Sequence, residues 1–168
     1  MDRRNFVKST LATSASLTLG NSVMALNSSL APAKKPVLRL AVKYGMIKAG
    51  TTPLEKLTLA KKLGIEGVEV DSPSGLNKEE AKKAAEQTGV KIHGVIDSVH
   101  WRDTLSSPDE AIRAKGLKAL ISGIEDAKFF GADTLLLVPG VVNKVATYEQ
   151  CYERSQIEVK KALPTAEK

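Results

Sequence analysis

Residues suited to a ligand-binding site are concentrated in one segment, Val90–Trp101, with the sequence VKIHGVIDSVHW. Its apolar first half is typical of a buried strand, and its second half carries Asp97, Ser98, His100 and Trp101. Carboxylate and imidazole groups hydrogen-bond to sugar hydroxyls, and an indole face packs against a sugar ring. We therefore expect Asp97, His100 and Trp101 to contact a small polar substrate, with packing within the loop as the alternative.

Two other predicted strands carry polar side chains near their carboxyl ends. Lys43 and Tyr44 close the first, and Glu69 and Asp71 close the second. Strand alternation predicts that Lys43, Glu69 and Asp71 project to the same side as Asp97. Glu69 and Asp71 could instead hydrogen-bond to loop backbones, and Lys43 could bind an acidic group or pair with Glu69. The predicted substrate-binding set is Tyr44, Glu69, Asp97, His100 and Trp101.

The remaining reactive side chains have structural interpretations. His93 shares the same phase but lies deeper, which is typical of a hydrogen-bonded core histidine. The spacing of His93, Asp97 and His100 predicts no metal site, because these residues lie on an extended segment with different phases. The single cysteine, Cys151, excludes an internal disulfide and falls on the apolar phase of a helix, so we expect a small core residue.

The composition is that of an ordinary globular protein. With 168 residues, 42% hydrophobic and 26% charged, the chain has enough apolar material for one domain. Its formal net charge is +6, yet no basic block is interleaved with aromatic residues, so we expect no nucleic-acid partner. A homo-oligomer remains compatible with this composition.

Residues 1–33 read as an export signal and linker. The segment Asp2–Lys8, DRRNFVK, resembles the twin-arginine export motif, and the run Leu11–Leu26 is too short and too polar for stable membrane insertion. Small-residue cleavage patterns end at Ala25 and at Ala33. We expect a periplasmic or otherwise extracytoplasmic protein, with an ordinary amphipathic N-terminal helix as the alternative.

The predicted strands and helices that carry these residues alternate regularly along the chain. The predicted strands are residues 37–47, 67–71, a third that begins at Val90, and 134–138. Helices with side-chain caps such as Thr52 and Asn77 follow them, and the first three helices end at a glycine. This order indicates βαβ units and a parallel sheet, in either an eight-unit barrel or an open doubly wound sheet.

The barrel is the favoured α/β fold, because no glycine-rich phosphate fingerprint follows the first strand. A (β/α)8 barrel needs about 250 residues. We therefore expect a partial TIM barrel: residues 34–168 as its N-terminal half, comprising the first four βα units of a parallel barrel.

The order of these segments resembles the sugar phosphate isomerase/epimerase family, whose barrel is like that of xylose isomerase. The resemblance covers nearly all of Val37–Lys168 and is most specific from the VIDSVHW loop to FFGADTLLLVPG. It implies proton transfer next to a carbonyl through an enediolate, with a sugar or sugar phosphate as substrate and a divalent metal (manganese, magnesium or cobalt) as cofactor. In that family the metal ligands lie on later strands, so the resemblance implies that this chain lacks them and is inactive alone.

Two other functions remain open from the sequence. One is a non-catalytic carbohydrate-binding or interaction protein. The other is a DNA-repair enzyme like endonuclease IV, which needs more histidines on its early strands than His93 and His100 provide.

Overall fold

The computed structural model describes residues 38–168, so the predicted export segment lies outside the described residues. Strands and helices alternate as β1 Ala41–Lys43, α1 Pro53–Lys62, β2 Gly67–Ser72, α2 Lys78–Thr88, β3 Lys91–Asp97, α3 Glu110–Phe130, β4 Thr134–Leu136 and α4 Tyr148–Ala166. A short 3-10 helix, Tyr44–Met46, follows β1. Within this part of the chain, no helix is both long and apolar enough to cross a membrane.

The four strands form one parallel sheet in the order β1-β2-β3-β4. Hydrogen-bonded neighbours in register lie at the same height and on the same face of the sheet. One such layer comprises Lys43, Glu69, Gly94 and Thr134, and the next towards the carboxyl ends comprises Asp71, Ile96 and Leu136. This sequential parallel order is that of consecutive units of a TIM barrel, and it confirms the predicted fold.

An irregularity in β3 changes which side chains face the helices. Val68 pairs with Ile92, but the next residue of β2, Glu69, pairs with Gly94, so His93 is an extra residue in β3. An inserted residue shifts the alternation of every residue that follows.

Apolar side chains pack between one face of the sheet and the helices. Val68, Val70 and Val95 are at most 1% exposed, and they belong to one cluster with Leu57 of α1 and Ala84 of α2. Fully burying a side chain of this kind stabilises the fold by about 1.5–3 kcal/mol. This cluster holds the sheet and the helices together.

The helix caps form as predicted. Thr52 and Glu55 form a reciprocal capping box at α1, and Asn77 accepts a hydrogen bond from the backbone N–H of Glu80 at α2. The α2 helix ends at Gly89, whose φ of 72° lies in the left-handed region that favours glycine.

Both edge strands differ from the prediction. β1 pairs only over three residues, because its partner β2 begins at Gly67, opposite Ala41, and a 3-10 helix begins at Tyr44. β4 ends at Leu136, before the predicted end at residue 138. Thr134 and Leu136 are exposed, whereas Leu135 packs against the helix-side clusters. Among the described residues, nothing covers the other face of this edge strand.

The buried side of α4 carries polar as well as apolar residues. Tyr148, Tyr152 and Leu163 are exposed, whereas Glu158 and Ala162 are buried. Cys151 is 5% exposed, which confirms its prediction as a core residue.

The loop between β3 and α3 packs closely against α3 at Gly116. A β-carbon at this position would overlap the carbonyl oxygen of Asp103 and would lie 3.0 Å from Cδ2 of Leu105. The absence of a side chain at Gly116 therefore lets the loop backbone approach the helix.

Candidate functional site

Charged side chains from β1 and β2 lie on the sheet face that the helices do not cover. Lys43 and Asp71 form an ion pair with 2.8 Å between Nζ and Oδ1. Glu69 lies in the same layer as Lys43, and its side chain passes over Gly94, where a β-carbon would lie 3.3 Å from Cγ of Glu69. Lys43 and Glu69 lie in one layer of the sheet and Asp71 lies in the next, on the same face. We call these three residues together the polar layer. It lies towards the carboxyl ends of the strands, where TIM barrels bind their substrates.

The structure shows which carboxylate pairs with Lys43. Its ammonium group pairs with Asp71 and not with Glu69. Both partners are partly exposed, with 39% and 30% of their side-chain surface accessible, so a ligand can reach them.

Asp97 does not project to the side that strand alternation predicts. It pairs in register with Ser72, whose hydroxyl donates to Asp126 of α3 at 2.6 Å, so both residues belong to the helix-covered face. The prediction of its orientation is wrong because the extra residue His93 reverses the alternation after it.

The carboxylate of Asp97 supports the loop that follows β3. It is 1% exposed, and Oδ1 accepts a hydrogen bond from the backbone N–H of Val99 at 3.0 Å. Burial raises the pKa of Asp97 above its usual value, although the hydrogen bond from Val99 and the nearby His100 lower it in part. Contact between Asp97 and a substrate stays a prediction.

His100 connects this loop to the end of β4. It is 5% exposed, and its Nδ1 accepts a hydrogen bond from the backbone N–H of Val138 at 3.3 Å. Trp101 meets the His100 ring edge-on, with 5.4 Å between the ring centroids, yet remains 67% exposed. The structure thus leaves the indole accessible to a ligand.

Tyr44 lies on the opposite flank of the sheet, beside α1. Its ring packs against the hydrophobic core, and Nζ of Lys56 lies 5.0 Å from the ring centroid. Burial raises the pKa of Tyr44, and the nearby Glu80 carboxylate raises it further. Its role in substrate binding stays a prediction, as does that of Glu69.

His93 is not the hydrogen-bonded histidine that the sequence predicts. Its Nε2 is buried without a hydrogen-bond partner among the described residues, and its ring lies over Gly67. It lines a cavity of about 310 Å³ with Arg39, Lys91 and Asp133. That cavity lies at the amino ends of the strands, the end of a TIM barrel associated with stability and not with catalysis.

One supporting group was not anticipated from the sequence. Asp126 of α3 is 6% exposed and binds both the hydroxyl of Ser72 and the ammonium group of Lys78. It fixes the carboxyl end of β2 to two helices. The sequence offers no signal for this, since its partner Ser72 is 54 residues away.

The described residues do not fit the divalent metal that the family resemblance implies. Residues 38–168 contain no group of three histidine, cysteine, aspartate or glutamate side chains that could hold a metal ion. Asp71 is paired with Lys43, and Nδ1 of His100 is bonded to Val138.

Comparisons with known proteins agree with this architecture. Residues 57–168 match the family described as Xylose isomerase-like TIM barrel. The L-ribulose-5-phosphate 3-epimerase UlaE of Escherichia coli strain K12 is 31% identical, over 68% of this chain and 42% of the relative. The chain thus spans less than half the length of this relative.

Two solved structures share the fold. D-allulose 3-epimerase from a Methylomonas species has a TM-score of 0.60 at 16% identity, covering 78% of this chain and 48% of that one. An AP endonuclease, family 2, from Brucella melitensis has a TM-score of 0.56 at 17% identity, covering 77% and 53%. The parallel sheet, its register and the family match over residues 57–168 lead to one conclusion: the chain belongs to the Xylose isomerase-like TIM barrel family.

Proposed function

We propose that this chain forms part of the substrate-binding barrel of a sugar isomerase or epimerase. The reaction is proton transfer at the carbon next to a carbonyl, through an enediolate, on a sugar or sugar phosphate. The divalent metal of such an enzyme (manganese, magnesium or cobalt) would be held by residues other than those described, and this chain would bind substrate without catalysing the reaction.

The observation that carries the proposal is the position of the polar layer. Lys43, Glu69 and Asp71 lie together on the uncovered sheet face, near the carboxyl ends of the strands. An ammonium group and two carboxylates can donate to and accept from the hydroxyl groups of a sugar. The family match and the 31% identity with an epimerase support sugars as the ligand class.

The experiment measures sugar binding by calorimetry, since binding does not require the groups that move the proton. The probe is L-ribulose, and the variants are Lys43→Ala and Arg39→Ala. Arg39 is the matched control because it forms an exposed ion pair with Glu66, 3.1 Å apart, near the amino end of the sheet. Losing one charge-assisted hydrogen bond costs about 1.5–3 kcal/mol, so Lys43→Ala should weaken binding roughly tenfold to a hundredfold, and Arg39→Ala less than about twofold.

Equal affinities in the two variants, or no binding by the unsubstituted chain, would refute the proposal. Tight binding of DNA containing an abasic site would instead favour the endonuclease function. Deuterium exchange into L-ribulose from heavy water, with manganese present, is expected to be absent for this chain. Exchange in it would refute the proposed division between substrate binding and catalysis.

We also propose export by the twin-arginine route, on the sequence of residues 1–33 alone. The test fuses these residues to a reporter that the twin-arginine pathway exports only when folded. Replacing Arg3 and Arg4 by lysine should abolish export, whereas replacing Lys8 by arginine should preserve it. Export that persists in the double lysine variant would contradict the proposal.

A further inference from the structure

A cavity of about 370 Å³ lies between the loop that follows β3 and the segment that joins β4 to α4. Its lining includes Trp101, Arg102, Thr104, Ser107, Asp109 and Asn143. The polar layer contributes no residue to this lining, so the cavity is a separate feature of the same end of the sheet. We call it the loop cavity.

Trp101 gives the loop cavity an exposed aromatic surface. Its indole is 67% exposed, while one contact holds it edge-on against the buried ring of His100. His100 is itself tied to the backbone of Val138. An exposed aromatic ring among hydroxyl, amide and carboxylate groups suits the apolar face and the hydroxyl groups of a sugar.

The charges around the loop cavity favour an uncharged ligand. Arg102 is the one cationic side chain of the lining, and it is already paired with Asp103 at 2.7 Å. The N-terminus of α3 is occupied by the carboxylate of Asp109, which accepts from the backbone N–H of Ala111 at 2.8 Å. A phosphate would have to displace one carboxylate and approach another, which like-charge repulsion opposes.

We propose that the loop cavity binds the uncharged, hydroxyl-rich part of a ketose, remote from its carbonyl, and that it disfavours a phosphate group. The inference rests on the proposed sugar chemistry and names the substrate class as unphosphorylated. It assigns Trp101 as the stacking surface and the side chains around it as partners for hydroxyl groups.

The test uses the fluorescence of Trp101, the one tryptophan in the sequence. The chain is titrated with L-ribulose, with L-ribulose 5-phosphate and with inorganic phosphate. L-Ribulose should change the emission saturably, the phosphate ester should bind at least about tenfold more weakly, and inorganic phosphate should have no effect. Tighter binding of the phosphate ester would overturn the inference.

Variants separate this inference from the proposed function. By calorimetry, Trp101→Ala should weaken L-ribulose binding at least about tenfold, and Trp101→Phe should retain most of it. Arg39→Ala, outside the loop cavity, should change binding less than about twofold. Circular dichroism checks that each variant folds. If Lys43→Ala weakens binding and Trp101→Ala does not, the inference fails and the proposed function stands. If Trp101→Ala weakens binding and Lys43→Ala does not, the loop cavity stands and the role of the polar layer fails.

Discussion

Replacing Gly116 by alanine tests how closely the loop that carries Trp101 is packed on α3. Gly116 is buried within α3, and a β-carbon there would overlap the carbonyl oxygen of Asp103. It would also lie 3.0 Å from Cδ2 of Leu105 and 3.3 Å from the carbonyl carbon of Asp103. Two of these three atoms belong to the backbone, so no change of rotamer removes the overlap.

The expected loss of stability is the difference between two effects. Alanine is favoured over glycine in a helix interior by about 1 kcal/mol. Inserting a methyl group into a packed site costs about 1–3 kcal/mol, and the upper end applies here because the backbone of Asp103 must move. We therefore expect Gly116→Ala to lower the free energy of unfolding by about 2 kcal/mol. The displaced loop should also shift the emission of Trp101.

Gly123→Ala is the matched control in the same helix. A β-carbon at Gly123 would lie 2.6 Å from Cδ1 of Leu135, the end of a flexible side chain that can rotate away. The gain in helix propensity then offsets the contact, and stability should stay within about 1 kcal/mol of the unsubstituted chain. Urea unfolding followed by circular dichroism measures both variants. A Gly116→Ala variant that is as stable as the unsubstituted chain, with unchanged emission, would refute the reasoning.

Two further predictions concern carboxylates whose pKa the fold changes. Burial raises the pKa of Asp97, so the fold favours its protonated form, and this contribution to stability is lost as the pH rises through the raised pKa. Asp97→Asn should therefore be at least as stable as the unsubstituted chain at neutral pH and should lose that advantage below about pH 3.8, the ordinary pKa of aspartate. Thermal unfolding at both pH values measures this. A variant less stable than the unsubstituted chain at neutral pH would contradict the prediction. Backbone hydrogen bonds from Thr52 and Thr51 lower the pKa of Glu55 from 4.5 to about 2, so its stabilising effect is present above pH 4.5 and lost as the pH falls towards 2. Glu55→Ala should be less stable than the unsubstituted chain at pH 6, and the difference should shrink towards pH 2. Glu55→Gln keeps the capping box and should lose less stability. A difference in stability that does not depend on pH would count against this role of Glu55.

The architecture could be predicted from the sequence because its signals are local. A capping residue such as Thr52 and a terminal glycine such as Gly89 define helices within a few residues of themselves. The alternation of strands with helices then restricts the sheet to parallel order. The short length of β1 was not predictable in this way, because β1 pairs with β2 only from Ala41 and gives way to a 3-10 helix at Tyr44.

The candidate site was predictable only in part, because its contacts join distant segments. Lys43 and Asp71 were correctly expected on one face, but their pairing depends on the register between two strands. The bond from Val138 to Nδ1 of His100 spans 38 residues. The orientation of Asp97 depends on a single inserted residue in β3, which strand periodicity alone does not reveal.

The inserted residue His93 decides which side chains of β3 face the open side of the sheet. Deleting His93 would leave Ile92 opposite Val68 and Gly94 opposite Glu69, the pairs that these residues already form, so the remaining residues of β3 would keep the sides they have now. If the chain kept His93 but paired without the irregularity, His93 would take the place of Gly94 opposite Glu69. Each later residue would then change sides, which brings the acidic group of Asp97 into the open mouth and Ile96 against the helices. A one-residue slip of β3 against β2 would thus exchange an apolar surface for an acidic one at the mouth of the barrel, with no change in the sequence.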